Sequence, residues 1–346
     1  MRLSYLITGI VILTFFGCKK STDLTQIEET IYVRSNGADM PVYLRGRLGS
    51  GIVILVVHGG PGGNGLEYRA GKYSEEIEKK YGVAYWDQRG QGMSQGTYKK
   101  SEVTVDNMVF DMNAVVNTIK LKYGSAIKVI ALGHSWGGTL TAKYVVTADL
   151  QYNLDGWIEA DGAHDIPRLN KAAIEKFKSE AKTQITLGNN TSNWEGILIW
   201  ANAIDTNFIT NENGGDINKK AGEAECWLLE DNFIQAGEEG GIKNSLLFGP
   251  TNLLTSTVTG IQMSNLLHNE VEEVALTNEL KKVTIPTLIL WGKYDFVVPP
   301  ALAYDAFKTI SSTNKKIVIF EKSGHSPMDN EWEAFTKEVT IFIEAL

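Results

Sequence analysis

The chain has 346 residues, long enough to bury a large core, and open α/β sheets of this length occur as one domain. Its 41 Asp and Glu exceed its 33 Lys and Arg, and the formal net charge of −8 without a basic patch speaks against nucleic acid as a partner. Two cysteines, Cys18 and Cys226, and no His-Glu-x-x-His or paired-cysteine spacing leave no metal motif and no cofactor to expect.

In chain order, Met1-Arg2 is a short basic start, Leu3 to Phe16 is mostly apolar, and Gly17-Cys18-Lys19-Lys20 ends the run. That length suits a signal-peptide core and is marginal for a membrane-spanning helix of about 20 residues, so a retained membrane anchor is the next reading and a buried core helix the last. A cysteine after a small residue at this point resembles a bacterial lipoprotein signal, although Phe15 stands where an aliphatic is usual. The resemblance makes Cys18 the lipidated first residue and residues 19–29 a tether. The mature protein is then held on a membrane of the bacterial cell envelope, facing the periplasm or the exterior.

The fold is expected from residue 30 on. Thr30–Arg34 and Pro41–Arg47 read as an antiparallel pair joined by Ser35-Asn36-Gly37-Ala38. The runs Ile52–Val57, Val83–Trp86, Lys128–Leu132, Leu154–Glu159, Thr287–Trp291 and Lys316–Phe320 alternate with helical patterns. Such alternation predicts a mostly parallel sheet with helices on both faces. Glu331–Leu346 reads as an amphipathic closing helix.

The chemistry gathers where those strands end. Ile52–Val57 runs into His58-Gly59-Gly60-Pro61-Gly62-Gly63, a loop whose N–H groups can face a developing oxyanion. Lys128–Leu132 runs into Gly133-His134-Ser135-Trp136-Gly137-Gly138, and Thr139–Val146 can follow as a helix. A sharp strand-to-helix turn with glycines two before and two after projects Ser135 above the sheet edge as a candidate nucleophile. Gly60 and Trp136 are the candidate oxyanion donors. Asp295 follows Thr287–Trp291, and His325 follows Lys316–Phe320 in Ser323-Gly324-His325-Ser326. His325 is then the base for Ser135, with Asp295 orienting it. Asp305 lies within a helical pattern and Asp329 comes after the histidine, so neither competes well. His58 and His134 read as turn-shaping residues, His164 and His268 fall outside the required order, and Cys226 reads as filler.

Residues 164–275 break the rhythm. Helical patterns at Ala172–Thr186 and Gly222–Ala236 are interrupted by Gly188-Asn189-Asn190 and by Asn211-Glu212-Asn213-Gly214-Gly215. This stretch carries 16 Asp and Glu against 8 Lys and Arg, the whole of the net charge. It is expected to be a mainly helical cap set between two parts of the core, 30–163 and 276–346. An acidic cap can attract a cationic substrate group.

His58-Gly59-Gly60-Pro61-Gly62, Asp87-Gln88-Arg89-Gly90-Gln91-Gly92-Met93-Ser94 and Gly133-His134-Ser135-Trp136-Gly137-Gly138 together resemble the prolyl iminopeptidase family of serine peptidases. The resemblance implies the α/β-hydrolase fold and release of N-terminal residues from short peptides, with Asp295 and His325 where that family keeps its acid and base. Leu229-Glu230-Asp231-Asn232-Phe233 faintly resembles the cap segment that holds the substrate's amino group, which makes Glu230 the first candidate there and Glu195, after Trp194, the second. A general ester or amide hydrolase, or a non-catalytic binding protein on the same fold, are the alternatives.

Overall fold

In the computed structural model, residues 26–238 and 252–346 are described; the segment expected to be a signal peptide, Cys18 included, lies outside them. Among the described residues nine strands form one sheet: β1 Ile27–Ser35, β2 Ala38–Gly46, β3 Ile52–Val57, β4 Gly82–Trp86, β5 Gln95–Gly96, β6 Lys128–His134, β7 Gly156–Ala160, β8 Thr287–Gly292 and β9 Lys315–Phe320. The order is β1-β2-β4-β3-β6-β7-β8-β9, with β5 paired to β2. β4, β3, β6, β7, β8 and β9 run parallel, and β1 and β2 enter antiparallel. Each of the six apolar runs is thus a strand of the parallel part.

The helices are α1 Lys72–Glu78, α2 Val105–Tyr123, α3 Trp136–Val146, α4 Ile166–Leu187, α5 Thr191–Ala203, α6 Asn211–Glu230, α7 Leu253–Glu272, α8 Ala301–Thr309, α9 Pro327–Asn330 and α10 Trp332–Glu344. Side chains of a strand alternate between faces, and both faces of β3 are apolar. Val53, Leu55 and Val57 pack in one core with Met108, Met112 and Val116 of α2 and Leu140 of α3. Ile54 and Val56 pack in the other with Ile77 of α1 and with Phe335 and Val339 of α10. Burial on both sides explains why the central strands read as unbroken apolar runs.

The insertion has its own core. Ile174 and Phe177 of α4, Trp194 and Ile197 of α5, and Ile217, Ala224 and Leu228 of α6 cluster with Tyr294 and Phe296 from the loop after β8. Its ends meet at an antiparallel bridge between Asp165 and Ala275, with the Ile166 N–H donating to Val274 O (2.8 Å) and the Leu276 N–H to His164 O (2.9 Å). Among the described residues, no helix is long and apolar enough to cross a membrane.

Three expectations need correction. β1 begins at Ile27, so residues 27–29 are paired strand rather than tether; buried Ile27 aligns with Gly46. Asn211–Gly215 does not break the cap but opens α6. There the Asn213 N–H donates to Thr210 Oγ1 (3.2 Å) and the Thr210 N–H donates to Asn213 Oδ1 (3.1 Å), a reciprocal cap that outweighs the poor helix propensity of Asn and Gly. At its other end α6 stops at Glu230 rather than Ala236, because Leu228 O turns to accept the N–H groups of Phe233 and Ile234.

Candidate active site

Ser135 stands between β6 and α3 with φ 56 and ψ −122, a conformation that side chains other than glycine rarely adopt. The surroundings hold it there. Its N–H donates to Ala160 O (3.2 Å), and its carbonyl accepts from Gly138 and Ala163 (2.9 and 3.0 Å). Gly137 is required because a Cβ there would run into the Val57 carbonyl.

The structure brings Ser135, His325 and Asp295 into one hydrogen-bonded chain. Ser135 Oγ donates to His325 Nε2 (3.0 Å), and His325 Nδ1 donates to Asp295 Oδ2 (2.9 Å). Asp295 is fully buried, and its Oδ1 accepts the Val298 N–H (2.7 Å). Burial opposes the imidazolium, but the Asp295 carboxylate outweighs it and raises the His325 pKa above its usual value.

The loop after β3 is fixed by the second sequence motif. Asp87 accepts from the N–H groups of Gly65 and Met93 (both 2.8 Å), and Gln91 Oε1 accepts from Gly62 (2.5 Å). Gln88 joins loop to elbow: its Nε2 donates to His58 O, and its Oε1 accepts from Trp136 Nε1 (both 2.9 Å). Arg89 forms a fully buried bidentate pair with Asp111 and ties this segment to the Asn36 turn. The Gly60-Pro61 bond is cis. Gly60 and Trp136 line the same cavity as Ser135. Trp136 is the first residue of α3, where a helix leaves its N–H groups unpaired and its dipole favours negative charge.

His58 and His134 do shape these turns. Burial lowers His58 to about 4 and His134 to about 3, so both imidazoles are neutral at pH 7. His134 Nε2 can only donate to its partner, the His325 carbonyl (2.7 Å). Its Nδ1 therefore accepts from Tyr68 Oη (2.6 Å), which in turn accepts the Gly59 N–H (2.8 Å). One directed chain joins the glycine loop, the elbow and the histidine loop.

The cavity holding Ser135 is about 280 Å³ and lies under the cap. Leu169, Ile217, Val271 and Val297 give it an apolar wall, while Asn170, His268 and Glu272 supply polar groups. A larger recess of about 440 Å³ opens beyond Pro61 toward Ser256 and Ile261, but Ser135 is not among its lining residues. Neither Glu230 nor Glu195 reaches the cleft. Both are exposed, Glu230 at the last residue of α6 and Glu195 next to buried Trp194. The carboxylate that lines the cavity is Glu272 of α7, half-buried and raised by that burial. His268, outside the expected order, lines it too, 3.9 Å from Glu272.

Two more carboxyl groups escaped the sequence. Asp161, after β7, accepts the Gly292 N–H with Oδ1 (2.9 Å), and its Oδ2 is buried close to the Asp295 carboxylate. An oxygen of Asp161, one of Asp295 and a ring nitrogen of His325 lie within 4.8 Å of one another. Burial and the Asp295 charge raise the Asp161 pKa well above its ordinary value. Glu225 of α6 accepts from the backbone of the Asp295 loop at Phe296 and of the histidine loop at His325. A buried strand-end acid gave Asp161 some signal; Glu225 gave none beyond its place next to an apolar stripe.

A family model described as serine aminopeptidase, S33, matches residues 52–212 and 264–333. The chain is similar to a Bacillus subtilis protein named as a probable aminopeptidase, with 23% identity over 83% of this chain and 87% of that protein. It is similar to a proline iminopeptidase of Saccharolobus solfataricus, with 26% identity over 86% of each. Among solved structures, the proline iminopeptidase-related protein of Thermus thermophilus superposes with a TM-score of 0.57 at 20% identity, over 92% of this chain and 98% of that one. An esterase of Exiguobacterium antarcticum gives 0.57 at 20% identity, over 91% and 100%. These two likenesses bear on the fold, which is that of the α/β hydrolases.

Proposed function

Because the chain belongs to the serine aminopeptidase S33 family, we propose that it releases N-terminal residues from short peptides, with Ser135 as nucleophile, His325 as general base and Asp295 as its orienting acid. The observation that carries this reading is one cavity holding both Ser135 and the half-buried Glu272 carboxylate. Ser135 Oγ attacks the scissile carbonyl while its proton passes to His325 Nε2. The oxyanion is received by the N–H groups of Gly60 and Trp136. His325 then protonates the leaving amine, and water, deprotonated by the same imidazole, releases the acyl group. Glu272, with the Asn170 amide beside it, receives the substrate's ammonium in place of Glu230.

Glu272→Gln tests the assignment. Removing the carboxylate leaves a desolvated ammonium unpaired, so kcat/KM on peptides with a free amino terminus should fall about a hundredfold. The same peptides N-acetylated, and simple esters, should lose little. The apolar wall formed by Leu169, Ile217, Val271 and Val297 favours a second reading, a general ester or amide hydrolase. Wild-type enzyme that prefers acetylated or ester substrates would establish that reading and remove the first.

The N-terminal segment supports a place of action. We infer that the mature chain begins at a lipidated Cys18 and works at the cell envelope, anchored by the several acyl chains of a bacterial lipoprotein. Cys18→Ser should move the protein out of the detergent phase or block its processing. A wild-type protein found wholly in the aqueous phase would end this assignment.

A further inference from the structure

Both backbone polar groups of His325 are held by side chains from other parts of the molecule. Its carbonyl accepts from His134 Nε2 at the elbow (2.7 Å), and its N–H donates to Glu225 Oε2 (2.9 Å). Glu225 belongs to cap helix α6, and its other oxygen, Oε1, accepts the N–H of Phe296 (3.0 Å), the residue after Asp295. The approach is close because Gly324 has no side chain; a Cβ there would meet Glu225 Oε2. Ala224 and Leu228, which flank Glu225 on α6, pack with Phe296 in the cap core, so helix and loop are joined by apolar contact as well.

We propose that Glu225 is a positioning residue: one carboxylate carried by the cap holds the loops of the acid and of the base together, so that His325 faces Ser135 only while the cap is seated. A carboxylate suits this task because it accepts on both oxygens, whereas an amide of the same shape accepts on one. Neither hydrogen bond touches a substrate. The cap thereby acts on the base whatever the cleft contains.

Charge gives a second handle. The groups facing Glu225 are Asp295 and Asp161 beneath it, His325 beside it and Lys176 of α4. Burial and the Asp295 charge push Glu225 up to about 7. Its ionised form in turn favours the His325 imidazolium. Neutralising Glu225 must therefore lower the His325 pKa.

The inference rests on Ser135 being the nucleophile, so Ser135→Ala is the control. The probe is a small fluorophosphonate, which does not need Glu272. In Glu225→Gln the labelling rate, and kcat on p-nitrophenyl acetate, should fall by about ten- to a hundredfold, as expected for a base displaced by a fraction of an ångström to an ångström. KM should change little. The acid limb of the labelling rate should move to lower pH, a shift that mere loosening of the fold would not produce. Gly324→Ala perturbs the same contact from the other side and should slow labelling too, with the double variant no slower than the slower single one. If Glu225→Gln does not fold, Gly324→Ala decides alone. Wild-type labelling rates in the folded variants would overturn the proposal, as would an unmoved acid limb in folded Glu225→Gln. Labelling that survives in Ser135→Ala would instead overturn the nucleophile.

Discussion

Purified Ser135→Ala protein is expected to lose about 10⁴-fold or more in kcat and all fluorophosphonate labelling, since a nucleophile and its base act as one unit. What remains is the small rate owed to the oxyanion donors and to substrate binding. The change should be conservative for the fold. The hydroxyl's hydrogen bond in this structure goes to His325, while the backbone of residue 135 is held by Ala160, Gly138 and Ala163 through groups that alanine keeps. Thermal unfolding of the variant should accordingly stay close to wild type, and that measurement separates lost chemistry from lost structure. Near wild-type turnover in a folded Ser135→Ala would point to another nucleophile. Absence of labelling in the wild type would favour a non-catalytic binding protein on the same fold.

Asp295→Asn should cost about 10⁴-fold in kcat through a tautomer rather than through a lost contact. In the native protein Asp295 Oδ1 accepts the Val298 N–H, and Oδ2 accepts from His325 Nδ1. An asparagine must place its single oxygen toward Val298, and its NH₂ group then faces the imidazole. His325 Nδ1 becomes an acceptor, its proton moves to Nε2, and the nitrogen facing Ser135 has no lone pair to offer. Asp161 makes the experiment informative. Burial and the Asp295 charge raise its pKa, and the substitution removes the second of these causes. A loss of only about a hundredfold would mean that Asp161 takes over the orienting role. The Asp161→Asn/Asp295→Asn double variant should then fall to the full extent.

Much of the fold was legible because the central strands are buried on both faces. Ile52–Val57 is an apolar run that solvation alone would not tolerate, and it is β3 from end to end. The elbow was legible for a different reason. The requirement at Ser135 is local, a sharp turn with no room for Cβ atoms at Gly133 and Gly137, so it is written in adjacent letters. Asp295 and His325 follow from strand ends in a fixed order, which is again a matter of topology.

The cap shows where this kind of reading stops. Glu225 and Glu230 lie five residues apart on one helix, about 140° around its axis. One turns inward with Ala221, Ala224 and Leu228, and the other faces water. Asn211-Glu212-Asn213-Gly214-Gly215 misled because residue propensity is worth a few tenths of a kcal/mol to about 1 kcal/mol per residue, which a capped, packed helix outweighs.

The sequence by itself determined the parallel sheet, the strained serine and the order of the residues that face it, because burial pattern and turn sterics act over a few neighbouring residues. Only the tertiary structure decided which carboxylates meet the cleft and the histidine: Glu272 rather than Glu230 at the cleft, with Glu225 and Asp161 close to His325. A charged side chain reads the same whether it meets water or a neighbour 100 residues away, as Glu225 meets His325, until packing sets the rotation of its helix.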